Sequence, residues 1–328
     1  MKILVLGAAG MIGRKLIARL LIDGCLRGET ITNIHGFDVV EAGLESVGKI
    51  SIITSAGDVS DAATVEALVA KKPDVIFHLA AIVSGEAEAD FEKGYRINLN
   101  GTHNLLSAVA AMKGYVPRIV FASSIAVFGA PFPDYVKDDF HLTPLTSYGT
   151  QKAIGELLLA DFTRKGLLDG VGIRLPTIVV RPGRPNAAAS GFFSNIIREP
   201  LAGKKAILPV STEVMHWVAS PRSAIGFCLH AAELDGEKLG PKRNLTMPGL
   251  AVTVGEMIDA VGRFGGDKAR ALIEGKPDAT INEIVENWPR RFMATRALKL
   301  GFQVEKTIDE IIQAHIEDEM GGSIDQKT

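Results

Sequence analysis

The chain opens with short apolar runs that alternate with segments of mixed polarity, and this order continues to about residue 180. Continuous apolar runs such as 2–6 and 118–124 are typical of strands buried on both faces of a parallel sheet. The segments between them, such as 11–23, carry apolar residues three and four positions apart, which predicts helices with one buried face. Strands that alternate with helices predict an α/β protein with a doubly wound parallel sheet covered by helices on both sides.

Breaks in the pattern give approximate bounds for each element. The predicted strands cover 2–6, 31–38, 51–58, 74–80, 118–124 and 172–180. The predicted helices cover 11–23, 61–72, about 87–113 and 147–164. Gly24 is suited to end the first helix, Asp61 to cap the second and Pro73 to end it. Regular alternation stops after Val180. We therefore expect a first domain over 1–180 and a smaller mixed α/β region over 181–328, and we allow for segments of it returning to the main sheet.

Three glycines form a GxxGxxG motif between the first strand and the first helix. Glycine at such a turn lets the backbone approach a pyrophosphate group at the helix N-terminus. The residues expected to contact a dinucleotide here are Gly7, Gly10, Met11, Ile12 and Gly13. Asp38 ends the second strand about 25 residues later. A carboxylate there binds the ribose hydroxyls and repels a 2′-phosphate. The first domain is therefore predicted to be a Rossmann-type domain that binds NAD rather than NADP.

Residues near the ends of the next strands are further candidates for contacts with NAD. The candidates are Asp58, Val59, Leu79, Ala80, Ala81 and Asn98. Asp58 either meets the adenine amino group or only forms a turn or helix cap. The small residues after the fourth strand leave room for the dinucleotide. Asn98 either bonds to the backbone behind the site or faces solvent, and His78 is expected to be packed rather than catalytic.

Tyr148 and Lys152 stand four residues apart in a predicted helix, which places them on one helical face. A phenol with an ordinary pKa of about 10 is a poor base at neutral pH. A lysine cation close by, together with a positively charged nicotinamide, favours the phenolate. Ser124 ends the fifth predicted strand, where its hydroxyl would point into the crevice that binds ligands in open α/β sheets. Together the three side chains have the parts of a hydride-transfer site.

Composition narrows the classes of function. The 328 residues carry a formal net charge of −2 with both signs interspersed, so neither the basic stripe of a nucleic-acid-binding protein nor a polybasic membrane patch is present. Only Cys25 and Cys228 occur, which fits a reducing cytoplasm, and the seven histidines lack metal-site spacing. We expect a cytoplasmic protein without metal, nucleic-acid or membrane partners.

The whole chain resembles the extended short-chain dehydrogenase/reductase family, also called the NAD-dependent epimerase/dehydratase family. The resemblance rests on GAAGMIG, Asp38, AGDVSD, HLAA, SSIAVFG, SYGTQK and RLPTIVVRPG in that order. It implies that Ser124, Tyr148 and Lys152 form the catalytic triad. It also implies that Pro176 and Thr177 lie near the nicotinamide carboxamide. The helices at about 87–113 and 147–164 resemble the pair that forms a homodimer interface in this family.

Enzymes of this family use the same triad for several reactions, so the fold does not decide the activity. Ile125 and Ala126 stand where the dehydratases carry an acidic pair, and Thr177 stands where sugar-nucleotide enzymes usually have Asn. Segments beyond residue 180 resemble a subgroup that oxidises D-erythronate, a four-carbon sugar acid, at C2 with NAD. The alternative is a nucleotide-sugar 4-epimerase that holds NAD tightly. A non-catalytic NAD-sensing protein is the third reading, and the complete triad argues against it.

A sugar-acid substrate requires an anchor for its carboxylate, and a bidentate arginine is the usual one. Arg184, in the loop after the sixth predicted strand, is our first candidate, with Arg181 and Arg222 as alternatives. Ser84 and His216 either bind substrate hydroxyls or serve packing and solvation. Ser124 and Tyr148 would also contact the substrate. The region over 181–328 is accordingly predicted to bind the substrate.

Overall fold

The computed structural model describes residues 1–44, 46, 48–183 and 190–324. Its strands are β1 (Lys2–Leu6), β2 (Cys25–Leu26), β3 (Glu29–Thr30), β4 (Asn33–Asp38), β5 (Ser51–Ala56), β6 (Val75–His78), β7 (Arg118–Ser124), β8 (Val136–Lys137), β9 (Asp169–Leu175), β10 (Thr177–Ile178), β11 (Ala206–Leu208), β12 (Met215–Ala219), β13 (Asn244–Thr246), β14 (Leu250–Thr253), β15 (Ile273–Gly275) and β16 (Phe292–Met293).

The helices of the described residues are α1 (Met11–Asp23), α2 (Ala62–Val69), α3 (Ser84–Ala89), α4 (Phe91–Gly94), α5 (Gly101–Ala111), α6 (Ser147–Arg164), α7 (Gly191–Leu201), α8 (Pro221–Glu233), α9 (Gly236–Leu239), α10 (Val254–Ala271), α11 (Ala279–Glu286), α12 (Thr295–Lys299) and α13 (Ile308–Glu319). A π-helical segment, Tyr95–Asn100, joins α4 to α5, and a short 3₁₀ turn covers Ile125–Val127. None of these helices is long and apolar enough to cross a lipid bilayer.

The main sheet has seven strands in the order β13-β9-β7-β6-β1-β4-β5. Every neighbouring pair in it is parallel. The chain runs outward from β1 through β4 and β5 on one side, and through β6, β7 and β9 on the other. The predicted α/β fold with a doubly wound parallel sheet is confirmed. The order reverses between β1 and β6, and a crevice at the carboxyl ends of such strands is where this fold binds ligands.

Helices cover both faces of this sheet. One apolar cluster packs α1 and α8 against the sheet through residues such as Leu16, Ile17 and Phe227. The other packs α2 and α5 against the opposite face through Val65, Leu68 and Leu105. Helix α8 and the edge strand β13 both come from the chain beyond residue 180, so this part of the sequence completes the main sheet as well as building the smaller region.

The smaller region has its own core around α7, α10 and α13, with β10, β12 and β14 forming a three-stranded sheet. Strand β10 is parallel to β12, and β12 is antiparallel to β14. This sheet begins two residues after β9 ends, so it starts beside the carboxyl end of the main sheet. The crevice of the main sheet is therefore bordered by the start of the smaller region.

Two predicted elements are wrong in their extent. The single strand expected over 172–180 is divided at Pro176, which has no N–H to donate to a sheet partner, and the residues after it join a different sheet. The single helix expected over about 87–113 begins at Ser84 and is interrupted at Asp90. The Asp90 side chain accepts a hydrogen bond from the Lys93 N–H and caps α4, which a short acidic side chain does readily.

Candidate active site

The glycine turn fits tightly between β1, α1 and the end of β6. Gly7 has a φ of +91°, and a Cβ atom there would lie 2.7 Å from the Ala80 nitrogen. At Gly13 a Cβ atom would overlap the Gly7 carbonyl and lie 2.8 Å from the Ala8 Cα. Gly10 caps α1 without a side chain, and Met11 and Ile12 open the helix. The turn is therefore a cradle of bare backbone, which fits a pyrophosphate.

Asp38 lies beside this turn at the carboxyl end of β4. One carboxylate oxygen accepts a hydrogen bond from the Ala9 N–H at 2.9 Å, and the other accepts one from the Val39 N–H at 2.7 Å. These two bonds fix the orientation of a half-buried carboxylate next to the glycine turn. The position fits the ribose of a dinucleotide, and that contact stays a prediction.

Asp58 forms the turn that follows β5. Its carboxylate accepts hydrogen bonds from the Ser60 N–H at 2.8 Å and from Arg96 Nη1 at 2.5 Å. Burial alone would raise the pKa of Asp58, but the bonds from Ser60 and Arg96 hold it below its ordinary value. The neighbouring Val59 side chain is buried against Gly101. The turn is formed by the protein's own contacts, and the contact with adenine stays a prediction.

The residues after β6 line the other side of the glycine turn. Leu79, Ala80 and Ala81 are half-buried there. His78 is buried, and its Nε2 atom lies 2.9 Å from the Thr102 hydroxyl. Burial, and then the charge of Lys152, lower the pKa of His78 to about 3, so the ring is neutral. The packed histidine expected from the sequence is the one observed.

Asn98 is buried in the π-helical segment, so of the two alternatives left open by the sequence, the bond to the backbone is the one observed. Its amide accepts a hydrogen bond from the Ile82 N–H at 2.9 Å and donates one to the Ile82 carbonyl at 3.1 Å. It also donates to the Gln151 side chain at 2.7 Å. Gln151 lies on α6 between Tyr148 and Lys152. Asn98 thus joins the loop after β6 to the helix that carries the two candidate catalytic residues.

Ser124, Tyr148 and Lys152 come together at the carboxyl end of β7. The Ser124 hydroxyl is hydrogen-bonded to the Tyr148 phenol and also accepts a hydrogen bond from the Ala126 N–H at 3.1 Å. Lys152 Nζ donates to the Ala122 carbonyl at 2.8 Å and lies 5.7 Å from the centre of the Tyr148 ring. A hydroxyl, a phenol and an ammonium on rigid elements can position a substrate hydroxyl and exchange a proton with it.

Burial shifts the pKa values of Tyr148 and Lys152 in the directions that favour their neutral forms. Burial raises the pKa of Tyr148 to about 12, although the hydrogen bond with Ser124 acts in the opposite direction. Burial lowers the pKa of Lys152 to about 8, against the charge of Glu156, which raises it. The lowered tyrosine pKa expected from the sequence is therefore not found in the chain alone, because loss of water disfavours the charged form of both side chains.

Thr177 and His216 meet where the smaller region begins. Nε2 of His216 lies 2.6 Å from the Thr177 hydroxyl, one residue after Pro176. The imidazole is buried and stacks on Phe193, with 5.1 Å between ring centres. Burial, opposed by the Pro289 carbonyl, lowers the pKa of His216 to about 3. The neutral histidine is packed and orients the threonine.

The arginines predicted to bind a substrate carboxylate differ in whether protein groups already pair with their charge. Arg184 lies outside the described residues. Arg222 donates to Asp318 at 2.6 Å and to Glu317 at 2.9 Å, so its charge is already paired. Arg181 donates to the Ser190 hydroxyl at 3.4 Å. The acidic residues of α13 supply carboxylate partners for Arg222, and which arginine anchors a substrate stays a prediction. Ser84 begins α3 and is half-buried.

Sequence reasoning missed a buried cluster behind the triad. Ser123 on β7 and Arg174 on β9 both donate hydrogen bonds to Glu156 on α6. Glu156 stands one helical turn after Lys152, as Lys152 stands one turn after Tyr148, and this repeat was the available signal. Within the described ranges, no three His, Cys, Asp or Glu side chains gather to hold a metal ion.

Comparisons with known proteins agree with this geometry. The sequence model of the NAD dependent epimerase/dehydratase family matches residues 3–221. D-erythronate dehydrogenase of Cupriavidus necator is 44% identical over 323 residues, which cover 97% of this chain and 98% of that protein. D-erythronate dehydrogenase of Haemophilus influenzae is 36% identical over 332 residues, which cover 98% of this chain and 100% of that protein.

A solved structure is more similar still. The nucleoside-diphosphate-sugar epimerase from Agrobacterium tumefaciens is 56% identical and superimposes with a TM-score of 0.97, covering 99% of this chain and 96% of that one. The names of these relatives refer to two kinds of reaction.

Proposed function

Since this chain belongs to the NAD-dependent epimerase/dehydratase family, we propose that it is a sugar-acid dehydrogenase that oxidises D-erythronate to 2-oxo-D-erythronate. The observation that carries the proposal is the meeting of Ser124, Tyr148 and Lys152 at the carboxyl end of the main sheet, beside the glycine cradle. The names of two relatives that match almost the whole chain support the substrate.

NAD, when bound, accepts a hydride at its nicotinamide ring. The cradle from Gly7 to Gly13 would hold the pyrophosphate. A Cβ atom at either glycine would collide with neighbouring backbone, so the tight turn depends on both. Asp38 would accept hydrogen bonds from the ribose hydroxyls. Thr177, fixed by His216, would lie by the carboxamide. These positions would place the dinucleotide across the strand ends, with its reactive end near Tyr148.

Ser124, Tyr148 and Lys152 would carry out the proton transfer. Ser124 would hydrogen-bond the C2 hydroxyl of the substrate, and the Tyr148 phenolate would take the proton of that hydroxyl as the C2 hydrogen leaves as hydride. A phenol with a pKa of about 12 must be helped to ionise at neutral pH. The Ser124 hydrogen bond, the Lys152 ammonium and the positive charge of oxidised nicotinamide all favour the phenolate. We keep Arg184 as the proposed carboxylate anchor.

A nucleotide-sugar epimerase is the second candidate, and the name of the 56% identical structure favours it. Such a substrate carries a diphosphate, which arginine side chains usually bind. Arg198 and Arg222 are the candidates for this role. Arg198 bonds to Glu199 and Asn195, and Arg222 bonds to Glu317 and Asp318. Their pairing with protein groups favours the dehydrogenase.

The helices α5 and α6 also suggest an assembly. Leu157 on α6 is 64% exposed. A homodimer that packs these helices together would cover it. Cys25 and Cys228 are both unpaired, which is consistent with the cytoplasmic location expected from the sequence.

The first experiment follows absorbance at 340 nm with purified protein, excess NAD and a panel of four- to six-carbon sugar acids that includes D-erythronate. We expect NADH to accumulate with D-erythronate. The protein as purified is also denatured and assayed for released NAD. No NADH with any acid, together with NAD that remains bound through purification, would overturn the dehydrogenase and favour the epimerase.

A further inference from the structure

Helix α6 is fastened to the end of β7 by two polar contacts that lie one helical turn apart. Lys152 Nζ donates to the Ala122 carbonyl at 2.8 Å. One turn later, the next residue of the strand, Ser123, donates its hydroxyl proton to Glu156 at 2.5 Å. Ser124 follows directly in the strand, so the same two contacts fix the position of the serine relative to Tyr148 and Lys152.

The Glu156 carboxylate is held by more than this serine. Arg174 on β9 donates to it through Nε at 2.9 and 3.1 Å and through Nη2 at 2.7 Å. The guanidinium of Arg174 also lies 5.0 Å from the centre of the Phe128 ring. The side chain of Glu156 is 1% exposed. A guanidinium and a hydroxyl thus take the place of the water that this carboxylate loses on burial.

Lys152 has few groups that could keep it charged. It faces Tyr148 and Glu156 from its own helix, His78 from β6, and the Phe121 ring and Ala122 carbonyl from β7. His78 is neutral, since burial lowers its pKa to about 3. Burial lowers the pKa of Lys152 to about 8, and Glu156 is the charged neighbour that raises it. Arg174, a second cation close to Glu156, is bound to the Glu156 carboxylate.

We propose that Glu156, fixed by Arg174 and Ser123, is a positioning residue that keeps the Lys152 ammonium charged and in place beside Tyr148. The inference rests on the proposed role of Lys152 in hydride transfer. The competing explanation is that the buried ion pair only attaches α6 to the sheet. That explanation predicts a loss of stability when Glu156 is replaced, but no change in the protonation of Lys152.

The test measures the protonation of Lys152 directly and needs no substrate. Protein labelled with carbon-13 at the lysine Cε is titrated by NMR between pH 6 and pH 11, and the Lys152 signal is the one missing from Lys152→Arg. In Glu156→Gln a neutral amide replaces the anion while Arg174 keeps its charge. We expect the midpoint of the Lys152 titration to fall by about one pH unit or more.

Further variants separate charge from structure. Glu156→Asp keeps the carboxylate and should keep most of the wild-type midpoint. Asp161→Asn removes an exposed carboxylate from the same helix and should leave the midpoint unchanged. If Glu156→Gln does not fold because Arg174 is left unpaired, the double variant Glu156→Gln/Arg174→Gln is compared with Arg174→Gln, which keeps the carboxylate, and the double variant should have the lower midpoint. An unchanged midpoint in the folded variant that lacks the carboxylate would overturn the proposal.

Catalysis adds a second readout. If Lys152 must be charged, kcat for D-erythronate oxidation should fall at alkaline pH, and this decline should begin at lower pH in Glu156→Gln by the same shift. Absence of any turnover in the wild-type protein would refute the proposed function but not the lysine titration. The two failures are therefore distinguishable.

Discussion

At the scale of single residues, burial is the dominant influence on the candidate chemistry. It raises the pKa of Tyr148 to about 12 and lowers the pKa of Lys152 to about 8. The two shifts favour a neutral pair, whereas proton abstraction requires the phenolate. In the proposed mechanism, the positive charge of bound NAD, the Ser124 hydrogen bond and the charge of Lys152 therefore act together. A base assembled in this way works only when the cofactor is in place.

Replacement of Tyr148 by Phe tests this directly. Tyr148→Phe keeps the ring and removes the proton acceptor, so kcat for D-erythronate oxidation should fall by about 10²–10⁴-fold. NAD affinity, measured by calorimetry, should be nearly unchanged. Tyr135→Phe is the matched control, because Tyr135 is a half-exposed tyrosine beside Arg291. Wild-type-like turnover in Tyr148→Phe would exclude the tyrosine as the base.

At the scale of elements, the N-terminus of α6 determines where Tyr148 stands. The Thr146 hydroxyl caps the helix by accepting a hydrogen bond from the Gly149 N–H at 3.1 Å. The Ser147 N–H donates to the Glu88 carboxylate of α3 at 3.0 Å. At Gly149 a Cβ atom would lie 3.0 Å from the Ala126 carbonyl carbon, so the helix packs closely on the turn after β7. Tyr148 lies between these contacts and depends on all of them.

Loss of this cap should therefore affect catalysis as well as stability. Thr146→Ala should lower the free energy of unfolding by about 1 kcal/mol, as helix caps usually do, and should also lower kcat. Asp61→Ala removes the cap of α2, where the carboxylate accepts from the Thr64 N–H at 3.2 Å. Asp61→Ala should lower the free energy of unfolding by a similar amount without lowering kcat. Urea unfolding and the NADH assay measure both quantities.

An equal loss of kcat in the two cap variants would contradict this prediction. The effect of Thr146→Ala would then reflect general stability and not the position of Tyr148.

At the scale of the whole molecule, the two regions share enough structure that acid should weaken them together. Helix α8 and β13 pack into the main sheet, while β10 leads from the main sheet into the smaller region. Both regions also bury histidines. Burial lowers the pKa of His35 to about 4 and the pKa values of His78 and His216 to about 3. Lys71 contributes to the first shift and Lys152 to the second.

These histidines make the folded state sensitive to acid. Each is neutral when folded, while the unfolded chain takes up protons below about pH 6.5. The unfolded state binds more protons between that pH and the folded pKa values of about 3 to 4, so stability rises with pH across this window and is lost as pH falls through it. A single fully shifted histidine contributes a slope of about 1.4 kcal/mol per pH unit.

Replacement of one buried histidine should flatten this dependence. His216→Phe keeps an aromatic ring between Phe193 and Trp288 but cannot titrate. We expect the slope of unfolding free energy against pH, measured by urea denaturation between pH 6 and pH 4, to fall by up to about 1.4 kcal/mol per pH unit. His103→Gln alters an exposed histidine and should leave the slope unchanged. An equal slope of unfolding free energy against pH in His216→Phe and the wild type would contradict the prediction.

The sequence by itself determined those features that depend on short spacing along the chain. The parallel strands, the glycine turn and the helix Ser147–Arg164 all appeared where their local patterns predicted them. A strand or a helix has a fixed period, so residues close in sequence define its buried face. The candidate triad followed because Tyr148 and Lys152 share one helix and Ser124 ends a recognisable strand.

Only the tertiary structure decided features that join distant parts of the chain. It turned Asn98 towards Ile82, paired Arg222 with α13, and divided the strand at Pro176 between two sheets. It also assembled Ser123, Glu156 and Arg174 behind the triad. The direction of the Tyr148 pKa shift is another feature that only the tertiary structure decided. Burial and pairing depend on every element that packs around a group, and no spacing along one segment contains that information.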